Sequence, residues 1–183
     1  MSFVIAIDGP AGTGKGTITK LIAQELGLIN IDTGAMYRSI TLEALRQGIN
    51  SIEEKEKLIE IAKNIKIEMK NTDGNQEIFL NSEDVTNKIR SAEVSGFVSQ
   101  VSSIPEIREL MVNLQRKMAE GKDVIMEGRD ITTVVFPNAN VKIYLDADVE
   151  ERAKRRYKEN KEKGMQNTFE ETLEAMKKRD YND

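Results

Sequence analysis

The chain has 183 residues, of which 39% are hydrophobic and 32% charged, with a net charge of −4, a balance suited to one soluble domain with a real core and a small insert. The acidic balance argues against a nucleic-acid binder, whose affinity rests on a basic surface that releases counterions from phosphates. Cysteine and histidine are both absent, which excludes disulfides, thiolate zinc sites, cysteine nucleophiles and histidine general bases.

Phe3-Val4-Ile5-Ala6-Ile7 is a continuous apolar run with β-branched residues, as a strand buried on both faces requires. Glycines 9, 12, 14 and 16 with Pro10 demand a loop. Ile18, Leu21, Ile22 and Leu26 then mark the apolar face of a helix that Gly27 stops. Strand, glycine loop and helix form the opening βα unit of a parallel α/β fold. Leu28 to Ile31 reads as a short second strand, and a helix from Asp32-Thr33-Gly34 runs to about Gln47. A short helix is expected over Ile52 to Asn64. The texture then changes. Ile65 to Met69 alternates, Asp73-Gly74 signals a turn, and Glu77 to Leu80 is strand-like again. An antiparallel meander here reads as an insert of roughly residues 62–100 in a core formed by 1–61 and 101–183.

Pro105 opens a helix whose face carries Ile107, Leu110, Met111, Leu114 and Met118, with Gly121 at its end. Asp123 to Met126 is a second buried strand, closing in Glu127-Gly128-Arg129-Asp130, and Val141 to Leu145 reads as another, ending at Asp146. From Val149 to Lys163 a charged helix offers only Val149, Ala153 and Tyr157 to a core. Thr168 and Glu171 form a capping box for a last helix with Phe169, Leu173 and Met176. No apolar run approaches membrane-spanning length, and no basic leader precedes the short apolar start; a cytoplasmic protein without membrane or nucleic-acid partners is expected.

The segment Gly9-Pro10-Ala11-Gly12-Thr13-Gly14-Lys15-Gly16-Thr17 fits G-x-x-x-x-G-K, the phosphate loop. Glycines let backbone N–H groups converge on phosphate oxygens at a helix N-terminus, and Lys15 would reach the β- and γ-phosphates. Gly16 stands where Ser or Thr usually ligates Mg²⁺; Thr17 comes one residue late, for a phosphate or, indirectly, the metal. This variant points to nucleoside monophosphate kinases. A GTPase would need Asn-Lys-x-Asp, and Asn87-Lys88-Ile89-Arg90 lacks the aspartate. Glu127 ends a strand where P-loop proteins place the carboxylate that holds Mg²⁺ waters, and Asp146 is the weaker candidate. Arg152, Lys154, Arg155 and Arg156 are interleaved with glutamates, so charge alone suits either a phosphate-binding lid or a salt-bridged solvated helix.

Ile7-Asp8-Gly9-Pro10 with the G-K-G-T loop, Asp32 to Arg38 (DTGAMYR), Gly128 to Pro137 (GRDITTVVFP) and Arg179-Asp180 together resemble bacterial cytidylate kinases across the whole chain. The resemblance implies a three-layer α/β P-loop kinase fold: a largely parallel sheet, an antiparallel insert gripping the acceptor, and a helical lid at about 147–165. It implies transfer of a phosphoryl group from ATP, with Mg²⁺, to CMP or dCMP by a monomer. Arg38 and Arg129 would bind the acceptor phosphate, and Thr33 and Tyr37 would border the nucleotide. Asp130 would accept from the cytosine amino group, Arg108 and Ser99 would complete the base edge, and Arg179 and Asp183 would hold the ribose. Arg152 and Arg156 would act from the lid. Family members continue past the point matching Asp183 with a further arginine, a core strand and a helix, so an open hydrophobic sheet edge is expected here. Two rivals stand beside this reading. One is a P-loop kinase for UMP, AMP or a non-nucleotide acceptor. The other is a non-catalytic nucleotide-binding module, in which the acceptor-gripping motifs would serve no purpose.

Overall fold

The computed structural model describes residues 2–72, 75–162 and 164–182. Its elements in chain order are β1 (Val4–Asp8), α1 (Lys15–Leu26), β2 (Ile29–Asp32), α2 (Thr33–Arg46), α3 (Lys55–Asn64), β3 (Ile67–Thr72), β4 (Asn75–Leu80), β5 (Glu83–Asp84), α4 (Ala92–Ser102), α5 (Pro105–Ala119), β6 (Val124–Gly128), β7 (Val141–Tyr144), α6 (Val149–Glu162) and α7 (Phe169–Asn182). Short 3₁₀ turns occupy Ile52–Glu54 and Lys88–Arg90, and a five-residue π turn spans Ile131–Val135.

The parallel sheet has the order β2-β6-β1-β7. β1 and β6 are buried at every position because each has a strand on both sides and packed elements above and below. Strand alternation sorts their side chains between two faces. Val4, Ala6, Ile31, Val124 and Met126 meet Val112 and Ala119 of α5 and Ile131 and Val135 of the π turn. Ile5, Ile7 and Ile125 meet Ala23 of α1 on the opposite face. This gives the three-layer α/β arrangement. The antiparallel sheet β3-β4-β5 shares a core with its surroundings: Ile78 and Leu80 cluster with Met36, Leu58, Val101 and Ile107. The expected turn at Asp73-Gly74 lies outside the described residues.

In α7 the capping box forms as expected: the Thr168 N–H donates to Glu171 Oε2 at 2.8 Å and the Glu171 N–H to Thr168 Oγ1 at 3.1 Å. The rings of Tyr157 and Phe169 meet edge to face at 6.2 Å and join α6 to α7.

Two expectations are corrected. The apolar stripe read in α1 faces the core only at Ile22, which packs against the Ile5, Ile7 and Ile125 cluster; Lys15, Thr19 and Ala23 are the helix's buried residues, while Leu21 and Leu26 are 60% and 57% exposed. The helix turns its Lys15–Thr19 stripe inward because Thr19 bonds to Glu127 of β6. β7, read as a buried strand, is exposed along its whole length, because among the described residues it pairs only with β1 and lies at the edge of the sheet. Two boundaries also differ: β3 begins at Ile67 rather than Ile65, and the helix expected over 52–64 opens as a 3₁₀ turn.

Candidate active site

All parallel strands end on the same side of the sheet, and the sequence motifs follow those ends. The glycine loop follows β1, Thr33 follows β2, and Arg129-Asp130 follows β6. In open parallel sheets, ligands bind beyond these carboxyl ends. A cavity of about 900 Å³ lies there.

The glycine loop is packed against the neighbouring strand. A Cβ on Gly9, whose φ is 146°, would lie 2.0 Å from the Leu145 carbonyl oxygen, so no side chain fits. Lys15 is only 6% exposed, and its Nζ donates to the carbonyls of Gly9 at 2.6 Å and Pro10 at 2.8 Å. Burial first, then the charge of Arg129, lowers its pKa to about 8, against the opposing pull of Glu127, Asp32 and Asp8. A phosphate oxygen would relieve that strain on the ammonium. Thr13 Oγ1 donates to the Pro10 carbonyl, and Thr17 lies exposed on the cavity wall.

Gly16 has a local reason. A Cβ there would sit 3.3 Å from Glu127 Oε1, so a Ser or Thr at this position would press on the β6 carboxylate, which would have to give by a few tenths of an ångström. Thr19 donates to the same oxygen at 3.2 Å. Asp32 is directly across from Glu127 in the strand register and caps α2 by accepting the Ala35 N–H at 3.1 Å. Burial and then the Asp32 charge push the Glu127 carboxyl up, to about 7. Thr19 and Asp32 were missed as site residues. Asp32 could have been found as a carboxylate ending a parallel strand, whereas Thr19 carries no such signal.

Nine basic side chains line the cavity against three carboxylates among the described residues, an arrangement for a polyanion. Of the residues expected in the site, Ala11, Gly12, Gly14, Lys15, Gly16, Thr17, Arg38, Glu127, Arg129, Arg152, Arg156 and Arg179 reach the wall. Lys20, Arg90 and Arg155 reach it too, although none was singled out as a site residue. Arg38 is held across the cleft by Ser95 Oγ at 2.9 Å and the Ile89 carbonyl at 3.3 Å. Burial and then the charge of Arg179 lower its pKa. Arg152 is buried, with Nε on the Ala147 carbonyl, Nη1 on Ala11 O and Nη2 on Asp180 Oδ2. Arg156 sits 3.5 Å from Glu159. Asp146 is exposed and binds its neighbour's N–H, donated by Ala147.

A family model described as "Cytidylate kinase" matches residues 5–183. The chain belongs to the cytidylate kinase family. Curated relatives named cytidylate kinase include one from Caldicellulosiruptor bescii, 53% identical over 179 residues, which are 98% of this chain and 79% of that one. Another, from Caldanaerobacter subterraneus, is 54% identical over 176 residues, 96% of this chain and 76% of the relative. A third, from Streptococcus pyogenes, is 52% identical over 179 residues, with coverage of 98% and 79%.

The residues that the cytidylate kinase resemblance assigned to the base form a second group outside the cavity wall. Arg108 of α5 and Asp130 are closed on each other as an ion pair, and Arg108 Nη1 also reaches the Ser102 carbonyl at 3.4 Å. Ser99 is half-buried one turn earlier on α4. Tyr37, hydrogen-bonded to Gln115 of α5, has its phenol pushed up to about 12, chiefly by burial, so it stays protonated. Thr33 is buried and its hydroxyl donates to the Glu127 carbonyl at 2.7 Å. Asp183 lies outside the described residues.

Proposed function

We propose that the chain transfers the terminal phosphoryl group of ATP to CMP or dCMP, yielding ADP and CDP or dCDP. The observation that carries this reading is the row of cations on the cavity wall, Lys15, Arg38 and Arg129, with the Asp130–Arg108 pair beginning at the residue after Arg129. The acceptor phosphate is itself the nucleophile; its oxygen forms the new P–O bond as the bond to the ADP oxygen breaks. No side chain has to act as a strong base, and alignment with charge neutralisation supplies the catalysis. Loop amides and Lys15 hold the donor phosphates, Arg38 and Arg129 the acceptor phosphate, and Arg152 and Arg156 the charge that spreads over the transferring group. Asp130, Arg108 and Ser99 read the cytosine edge; Thr33 and Tyr37 border it, and Arg179 and Asp183 hold the sugar. Uracil carries an N–H where cytosine has an acceptor, so it would face the guanidinium with a donor.

The residues present suit Mg²⁺. Glu127 and Asp32 place two carboxylates beside the loop, and this hard cation binds through one or two carboxylates, water and substrate phosphates. Glu127, with Thr17, would hold it through water. When bound, the ion neutralises charge shared by the phosphates.

An assay of ADP release with CMP, dCMP, UMP and AMP tests the reading. We expect fast turnover with the cytidine nucleotides and at least about 100-fold lower kcat/KM with UMP. Equal rates with UMP would refute the base assignment. Tight nucleotide binding without turnover on any acceptor would leave a binding module instead.

A further inference from the structure

We propose that Asp8 is a positioning residue that sets the acceptor-reading pair Arg129-Asp130 against the donor loop; the inference rests on the functional reading above. Asp8 is 2% exposed, and a carboxylate so buried needs donors to hold its charge. Among the described residues, its side-chain donors all come from the π turn that follows Asp130. Asp8 Oδ1 accepts the Ile131 N–H at 2.8 Å, while Oδ2 accepts the Thr132 N–H at 2.8 Å and the Thr132 hydroxyl at 2.6 Å. In the sheet, Asp8 is the register partner of Gly128, the last residue of β6.

The chain therefore leaves Asp8 at Gly128 and returns to it at Ile131. Arg129 and Asp130 form a two-residue loop closed at both ends on one residue. Beyond the loop, the Asp130 carbonyl accepts the N–H groups of Val134 and Val135, so the turn moves with Asp130. On its other side Asp8 joins Gly9, the first residue of the donor loop, and its carbonyl accepts the Leu145 N–H at 2.8 Å. Asp8 is thus the shared fixed point of the two substrate-binding segments. On this reading its side chain acts by deciding where the Asp130 carboxylate and the Arg129 guanidinium stand.

The decisive experiment compares D8N, T132V and T132S with the parent enzyme for KM of CMP, KM of ATP and the CMP:UMP ratio of kcat/KM. Asn replaces one acceptor oxygen with a donor that faces the turn's own donors. We expect D8N to raise the CMP KM and lower the CMP:UMP ratio by about tenfold each, with the ATP KM within about threefold. T132V removes one bond and should shift both acceptor parameters the same way by a smaller factor; T132S restores the hydroxyl and the ratio. An unchanged ratio, or ATP and CMP KM values rising together, overturns the proposal. If D8N does not fold, the T132V and T132S pair decides alone, and equal ratios in those two overturn it. A parent with no CMP turnover would sink the functional reading instead. Amide exchange then tests the grip by itself: Ile131 and Thr132 should exchange faster in D8N, and unaltered exchange overturns it.

Discussion

At the scale of the residue, the site is governed by charges held away from water. Glu127 is 8% exposed and lies beside Asp32. Burial, then that neighbouring carboxylate, raises its pKa from 4.5 to about 7. The folded state therefore holds this proton more firmly than the unfolded chain does. The contribution to stability is complete below about pH 4.5 and is lost as pH rises through about 7. Gln has the same shape without the charge. E127Q should melt several degrees higher than the parent at pH 8 and near the parent at pH 5, on the order of 1–3 kcal/mol at the higher pH. The same variant should lose roughly 10- to 100-fold in activity. Calorimetry at the two pH values checks the first part, and a variant less stable than the parent at pH 8 would contradict it.

Among the elements, α6 shows how a charged helix can be both solvated and anchored. Its exposed face carries local pairs such as Lys154 with Glu151, worth little in stability. Its inner face carries Arg152, whose fork ties Ala147, the glycine loop at Ala11, and Asp180 of α7. Lysine has one nitrogen at its tip and cannot span those three acceptors. R152K should destabilise by about 1–3 kcal/mol, read as a drop in Tm, whereas R156K should stay within about 0.5 kcal/mol. Equal melting of the two variants would show that the buried fork contributes nothing. α1 teaches the converse. Its apolar residues repeat at helical spacing, yet the helix buries Lys15, Thr19 and Ala23, because the polar stripe has specific partners at the strand ends.

For the whole molecule, stability should concentrate in the middle of the parallel sheet. Ile125 is fully buried on β6, while Ile143 on the edge strand β7 is 36% exposed. I125A should cost about 2–5 kcal/mol and I143A less than about 1.5 kcal/mol, measured by denaturant unfolding. Similar losses at the two positions would contradict the edge assignment of β7. Val141, Ile143 and Tyr144 of that strand are likewise exposed.

Much was legible from residues alone. β1 announced itself as an unbroken apolar run, because only a strand covered on both faces tolerates one. The glycine loop was legible since few backbones can wrap a phosphate, and the capping box of α7 because it is a local contact. Arg38, Arg129, Asp130 and Arg108 were singled out through motif resemblance, not periodicity. Local pattern did not report the exposure of β7, the roll of α1, the Thr19–Glu127 bond or the closure of Arg129-Asp130 on Asp8. Each depends on which strand lies beside which, and residues 8 and 128 become neighbours only when β1 pairs with β6. By itself, then, the sequence determined the alternating α/β class, the phosphate loop and the chemical inventory of a histidine-free, cysteine-free site, because these depend on residue type and near spacing. Only the tertiary structure decided which carboxylate stands against Gly16 and which aspartate accepts the Ile131 N–H after Asp130, since those contacts join segments more than a hundred residues apart.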